Sequence, residues 1–312
     1  MAFKNQILLF LKGIAMGAAD VVPGVSGGTI AFISGIYETL INSINSVNQD
    51  AVKLLFRFKF KAFWEHVNGN FLIILLSGIG FSIAAFSRVI LYLLDTFPEI
   101  VWSFFFGLIV ASAAIIIPKV TKWSVGTVLL GILGFAIAYI IAVSGQTQTP
   151  ESLWFIFLSG AIAICAMILP GISGSFILLL LSKYEYILNA VKQIDVLVIG
   201  TFFLGCVTGL LSFSRLLKYL LANFHNAFIA LLTGFMIGSL SKVWPWKETL
   251  SSVIDRHGKT IPVLQQNISP LRYQDITGRD PMLILSIVAA FVGFALIMGL
   301  TRLSDTKDKA VV

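Results

Sequence analysis

The chain has 312 residues, of which 57% are hydrophobic and only 12% are charged, and its mean hydropathy is +0.93. Because a typical soluble domain carries about 25% charged residues, this composition excludes a soluble globular protein and predicts an all-α integral membrane protein. The excess of Lys and Arg behind the net charge of +7 lies in loops and at segment ends, which fits orientation in a membrane and argues against nucleic-acid binding.

The first apolar segment, at about residues 7–44, is interrupted at Pro23-Gly24. Proline cannot continue the hydrogen-bond ladder of a helix, so the segment is predicted to consist of two helical arms. Either both arms cross the bilayer or both form a re-entrant hairpin. In both arrangements the chain leaves the membrane on the side from which it entered.

A basic insertion at residues 50–70 separates this broken segment from three apolar runs, at about 71–94, 100–117 and 124–143. Each run reaches or approaches the length that a helix needs to cross the bilayer. The insertion interleaves Phe with Lys and Arg, which fits either a cationic helix lying on an anionic cytoplasmic leaflet or a strand. A plain topology anchor is the simpler role for it.

The second half of the chain repeats the first, and three co-linear matches carry this conclusion. The matching motifs are Pro23-Gly24-Val25-Ser26-Gly27-Gly28 with Pro170-Gly171-Ile172-Ser173-Gly174-Ser175, Phe86-Ser87-Arg88 with Phe213-Ser214-Arg215, and Gly134-Phe135-Ala136 with Gly293-Phe294-Ala295. A second broken segment at about 153–190 is followed by apolar runs at about 195–221, 226–243 and 281–301. We therefore divide one integral membrane domain into repeat 1 (1–145), repeat 2 (146–304, with an external insertion at 244–280) and a polar tail (305–312).

The distribution of basic residues predicts the topology. In the first repeat, loops that carry Lys and Arg alternate with loops that carry none, which by the positive-inside rule places the N and C termini in the cytoplasm. The stretch 183–192 departs from this pattern, and loop 244–280 is too mixed in charge to indicate a side. The chain crosses the bilayer three times, net, between the start of repeat 1 and the start of repeat 2. The repeats are therefore predicted to be inverted relative to one another. Inverted repeats with broken helices are typical of secondary transporters.

Two short motifs at the starts of the second arms predict an anion site. These are Ser26-Gly27-Gly28-Thr29 and Ser173-Gly174-Ser175. Serine caps a helix well, and glycine lets a ligand approach backbone N–H groups that no helical carbonyl satisfies, so such a helix start binds phosphate or carboxylate. The alternative is that these small residues only form tight turns and close helix contacts.

Ionisable residues inside the apolar segments are the other candidates for substrate binding or proton transfer. Arg88 and Arg215 occupy matching positions in their repeats, where a guanidinium would bind phosphate or extend to the membrane interface. Glu38 and Glu185 also match, and either proton relay or a counter-ion role fits them. Asp20 has the apolar Met167 as its mate, which favours directional proton coupling. The scattered Cys and His residues predict no metal site, and no cofactor is expected.

The run Gly17-Ala18-Ala19-Asp20-Val21-Val22-Pro23-Gly24-Val25-Ser26-Gly27-Gly28-Thr29, continued by Ile36-Tyr37-Glu38, closely resembles a family of polyprenyl-phosphate transporters. These multi-pass proteins of the bacterial cytoplasmic membrane return undecaprenyl phosphate, the lipid carrier of cell-wall (peptidoglycan) synthesis, to the cytoplasmic face. The resemblance implies a flippase rather than an enzyme, with polyprenyl phosphate and the phospholipid bilayer as partners and protons as a candidate coupling ion. The residues of this chain fit that mechanism, and our hypothesis is that Arg88, Arg215 and the two Ser-Gly starts hold the phosphate.

Two other functions stay open. Membrane undecaprenyl-pyrophosphate phosphatases have a similar Pro-Gly-x-Ser-Arg-Ser turn, but Gly27 and Gly174 stand here where the arginine would be, and hydrolysis lacks that charge. A small-anion transporter also fits, because an electropositive broken-helix site does not by itself require a lipid tail.

Overall fold

The protein is described by a computed structural model that covers residues 3–22, 25–254 and 260–308. The break at Pro23-Gly24 and the end of the polar tail, residues 309–312, lie outside the described residues. The first half contains α1 (Phe3–Val21), α2 (Gly27–Ile33), α3 (Tyr37–Asn45), α4 (Gln49–Phe56), α5 (Phe60–His66), α6 (Gly69–Thr96), α7 (Pro98–Ile116) and α8 (Val125–Val143).

The second half follows the same order of helices and adds a small extension. It contains α9 (Leu153–Ile168), α10 (Gly174–Leu180), α11 (Tyr184–Gln193), α12 (Val196–Asn223), α13 (His225–Ser239), β1 (Lys247–Ile254), β2 (Thr260–Asn267), α14 (Pro270–Thr277) and α15 (Leu283–Asp308). Helices of equal length stand at the matched sequence motifs: α2 and α10 have seven residues each, and α6 and α12 have 28 each.

The lengths of the apolar helices confirm a multi-pass membrane protein. Within the described residues, α6, α7 with its continuation to Lys119, α8 and α12 are long and apolar enough to cross a bilayer. Three shorter apolar helices, Leu153–Ile168, His225–Ser239 and Leu283–Gly299, accompany them. The extended Ser144–Ser152 connection, by contrast, forms no helix.

The broken segments are hairpins. Helix α2 spans about 10 Å at 1.5 Å per residue, a third of the hydrocarbon thickness, so it cannot cross by itself. The Lys12 ammonium donates to the carbonyl of Ser34, 2.6 Å away, which holds the end of α2 back alongside α1. In the second half, the Thr147 N–H donates to the Leu180 carbonyl, so the end of α10 returns to the chain that precedes α9.

Glycines allow the broken helices to pack closely against the long ones. A Cβ atom on Gly78 of α6 would lie 2.4 Å from the Phe10 carbonyl oxygen of α1, and one on Gly205 of α12 would lie 2.0 Å from the Phe157 carbonyl oxygen of α9. Small residues at such crossings let backbones approach within the membrane, where packing rather than water exclusion drives association.

The second insertion contains a β-hairpin, which the all-α prediction missed. Strands β1 and β2 pair antiparallel, from Lys247 opposite Asn267 to Ile254 opposite Thr260. The Thr, Val and Ile content of these short segments suits a pleated strand. The extension is attached to α7, because the Tyr273 hydroxyl of α14 donates to the buried Glu99 carboxylate at 2.5 Å.

Two glycines of α6 provide a matched pair of variants that tests the close crossing of α1 and α6. We expect Gly78→Ala to lower the free energy of unfolding by about 1–3 kcal/mol, because the new methyl group forces α1 away from α6. Gly80→Ala should be neutral or stabilising by up to about 1 kcal/mol, because a Cβ atom there meets open space and alanine favours the helix. Thermal unfolding in detergent measures both, and equal melting temperatures for the two variants would refute the close crossing.

Candidate functional site

The residues that follow the first chain break meet the second break in the interior of the helix bundle, and we call this the contact between the breaks. The backbone N–H of Gly171 donates to Oγ1 of Thr29 at 2.9 Å, and the Ser26 hydroxyl donates to the Met167 carbonyl at 2.9 Å. Ser26 and Thr29 are 1% and 0% exposed. A Cβ atom on Gly28 would lie 2.5 Å from the Ile168 carbonyl oxygen. Residues that are far apart in the sequence are therefore joined by two hydrogen bonds at one buried place.

Backbone N–H groups that follow the first break already donate to side chains of the protein itself. Ser26 caps α2 by accepting a hydrogen bond from the Gly28 N–H, at 3.1 Å. The Gly27 N–H donates to Oδ1 of Asp20 at 2.7 Å. The Asp20 carboxylate thus lies where the sequence predicted a bound anion, because the partial positive charge of a helix start favours a negative group.

The second break has no such carboxylate, since Met167 stands where Asp20 stands in the first. The hydroxyls of Ser173 and Ser175 hydrogen-bond to each other at 2.9 Å. A cavity of about 10 Å³ adjoins this turn, and its polar lining comes from Ser173, Ser239 and Lys242. That volume holds about one water molecule, so a phosphate could enter only if the surrounding helices separated.

Two partly buried lysines lie near the second break, and the sequence analysis did not single them out. The Lys242 ammonium lies 3.9 Å from the ring centroid of Phe176, and the Lys247 ammonium lies 4.7 Å from that of Trp102. Lys247 also donates to the carbonyl of Lys242. Among the described residues, neither ammonium has a carboxylate within ion-pairing distance.

Both lysines follow the end of α13, outside the apolar helices. Burial lowers the pKa of Lys242 to about 8, and burial together with the nearby Lys242 charge lowers the pKa of Lys247 well below its usual value. A bound anion would favour both protonated forms. Lys242 lies just before the insertion and Lys247 lies within it, and no sequence period places Lys242 beside Ser173.

The two arginines lie apart from the breaks. Arg88 and Arg215 are exposed on α6 and α12, and neither lines the cavity. No hydrogen bond or ion pair engages either guanidinium within the described part of the chain. Their positions on the outer surface of the bundle leave both side chains accessible to lipid headgroups.

The matched glutamates are also exposed. Glu38 and Glu185 lie in the first turns of α3 and α11, where a carboxylate complements the helix dipole. Neither forms an ion pair with Arg88 or Arg215 in the described residues. The structure thus gathers Asp20 and the two Ser-Gly motifs at one place and leaves the arginines and glutamates at others.

Comparison with known proteins identifies the family. The family described as VCA0040-like, undecaprenyl phosphate translocase-like, matches residues 16–261. The polyprenyl-phosphate transporter of Vibrio cholerae serotype O1 is 46% identical over 303 residues, which cover 96% of this chain and 98% of that protein. The chain belongs to the undecaprenyl phosphate translocase-like family.

A more distant relative agrees with this assignment. The polyprenyl-phosphate transporter of Staphylococcus aureus is 32% identical over 257 residues, which cover 75% of this chain and 85% of that protein. No solved structure gives a significant match. Both relatives of this translocase-like protein are named for transport, which fits a protein that is not an enzyme.

The contact between the breaks can be tested at Thr29. We expect Thr29→Val to lower the free energy of unfolding by about 1–3 kcal/mol, because it leaves the buried Gly171 N–H without an acceptor. Thr29→Ser keeps the hydroxyl, so its free energy of unfolding should fall by less. Thermal unfolding in detergent compares the two, and a valine variant as stable as the wild type would show that the bond contributes nothing.

Proposed function

We propose that the protein moves undecaprenyl phosphate across the cytoplasmic membrane, with the phosphate passing the contact between the breaks while the polyprenyl tail stays in lipid. The observation that carries this proposal is Lys242 beside the second break, with Lys247 next to it, and neither has a carboxylate partner among the described residues. Charges withdrawn from water are ordinarily paired, so these partly buried ammonium groups favour an anionic ligand. The names of the relatives indicate that the ligand is a polyprenyl phosphate.

The proposed mechanism requires inverted repeats, and the helix arrangement supports them. We propose that each broken hairpin returns to its starting side, and three candidate spans, α6, α7 and α8, precede α9. An odd number of crossings starts the second copy on the opposite side of the bilayer. Two related halves of opposite orientation supply one state open to each side.

Arg88 and Arg215 are proposed to receive the lipid headgroup in the two leaflets. Each lies about two thirds of the way along a 28-residue helix, which at about 42 Å is longer than the hydrocarbon core of about 30 Å. Inversion of the repeats would place one arginine toward each membrane face. A guanidinium binds phosphate oxygens in a bidentate manner, and its exposed position lets the tail remain in lipid.

The donors of the breaks are proposed to take the phosphate between these two positions. They are Ser26, Gly27, Gly28, Thr29, Ser173, Gly174 and Ser175, together with Lys242. Asp20 would control the first break, because its carboxylate already accepts from the Gly27 N–H. Protonation of Asp20 removes the charge that strengthens this bond, which would free the donor for phosphate and couple transport to protons. Glu38 and Glu185 are the further candidates for proton transfer.

The first experiment measures transbilayer movement of polyprenyl phosphate in proteoliposomes. We expect Lys242→Gln to slow transport roughly ten- to one-hundred-fold, the effect of losing one hydrogen bond to a charged group. Arg88→Gln and Arg215→Gln should also slow it. Lys218→Gln is the matched control, because Lys218 is an exposed cation one turn beyond Arg215 on α12, and it should transport at the wild-type rate.

Two parallel assays separate the alternatives, with each variant checked for unchanged thermal unfolding. Phosphate release from polyprenyl pyrophosphate without lipid movement would make the protein a phosphatase. Movement of inorganic phosphate at the rate of the lipid would make it a small-anion transporter. A Lys242→Gln protein that transports lipid at the wild-type rate would remove Lys242 from the proposed path.

Asp20→Asn tests the coupling role separately. The amide oxygen of asparagine still accepts from the Gly27 N–H, so the fold should be retained, but the side chain can no longer bind a proton. We expect lipid movement by this variant to lose its response to an imposed pH gradient. A response equal to that of the wild type would exclude Asp20 as the coupling carboxylate.

A further inference from the structure

The hairpin formed by α4 and α5 exposes three phenylalanines among four cations. Phe56, Phe58 and Phe60 are 81%, 78% and 61% exposed. The neighbouring exposed cations are Lys53, Arg57, Lys59 and Lys61. Three large aromatic side chains exposed together mark a contact surface rather than ordinary surface scatter.

The turn between the two helices adopts an unusual backbone conformation. Phe58 has φ of +56°, in the left-handed region that bulky residues rarely adopt. The N–H groups of Phe58 and Lys59 donate to the carbonyls of Leu55 and Leu54, which fixes the turn. The rings of Phe58 and Phe60 meet edge to face, with centroids 6.1 Å apart. The two backbone hydrogen bonds form the C-terminal cap of α4, so the aromatic tip is a defined structure.

The hairpin is mounted on the first turn of α6. The Trp64 indole N–H donates to Oδ1 of Asn70 at 2.9 Å, and its ring covers Gly69 so closely that a Cβ atom there would lie 2.4 Å from it. The His66 ring nitrogen lies 3.2 Å from Oδ1 of Asn48. This contact joins the start of α4 to the end of α5, opposite the aromatic tip. Because α6 is longer than the hydrocarbon is thick, its first turn lies at the depth of the lipid headgroups.

We propose that the α4–α5 hairpin inserts its phenylalanines between the headgroups of one leaflet and that its cations bind anionic phospholipid there. The net charge of the hairpin indicates which kind of lipid it binds. Asp50 pairs with Lys53 at 3.0 Å, and Glu65 is the other acidic residue of the hairpin, so Arg57, Lys59 and Lys61 leave an excess of positive charge next to the aromatic tip. Aromatic rings beside Lys and Arg at headgroup depth match an anionic membrane surface. This inference does not depend on which lipid the protein transports.

The test uses the full chain reconstituted into phospholipid nanodiscs. Phe58→Cys is labelled with an environment-sensitive fluorophore in a Cys165→Ser, Cys206→Ser background, which keeps hydroxyl donors for the Gly209 and Gly160 carbonyls. We expect the emission to shift to the blue when phosphatidylglycerol is added to phosphatidylcholine. Neutralising the cations, by Lys53→Gln, Arg57→Gln, Lys59→Gln and Lys61→Gln together, should abolish that shift.

The matched control carries the label at Leu271→Cys. Leu271 on α14 is 81% exposed, close to the exposure of Phe58, but it belongs to the other insertion. Its emission should not respond to the four neutralising substitutions. A label at position 58 whose emission is the same in both lipid compositions, or whose shift survives neutralisation, would overturn the proposal. The readout requires no transport, so failure of the flippase assay leaves this test intact.

Discussion

The contact between the two chain breaks is the constraint on which the rest of the structure depends. A broken helix in a membrane leaves backbone N–H and C=O groups without intrahelical partners, and lipid offers none. Here the Thr29 hydroxyl accepts from the Gly171 N–H, and the Ser26 hydroxyl donates to the Met167 carbonyl. Side chains of the first half thus satisfy backbone groups of the second, which explains why Ser26 and Thr29 lie buried against the second break.

The two breaks are chemically unequal, although their sequences match. At the first, Asp20 accepts from Gly27 and brings a negative charge into the contact. At the second, Met167 replaces that carboxylate, and Lys242 lies beside Ser173 and Ser239. One break therefore already contains an anion, whereas the other is electropositive. This inequality between the breaks is the basis for the proposed role of Asp20 in coupling and of Lys242 in phosphate binding.

The second insertion is part of the site rather than an appendage. The turn that leads from α13 into β1 brings Lys242 to the second break and places Lys247 next to it. The Tyr273–Glu99 hydrogen bond and the Lys247–Trp102 contact attach the insertion to α7. Any movement that opens the small cavity must therefore carry the insertion with it or break these contacts.

The sequence by itself determined the membrane class, the apolar spans, the two breaks and the family, because run length, proline and motif identity are local properties. It left the broken segments open between spanning and re-entrant, and it missed the β-hairpin. Only the tertiary structure showed that Ser26 and Thr29 bind the opposite break, that Asp20 occupies the first helix start, and that Lys242 adjoins the second. Those facts depend on contacts between residues far apart in the chain, and such contacts are set by packing, which neither periodicity nor composition encodes.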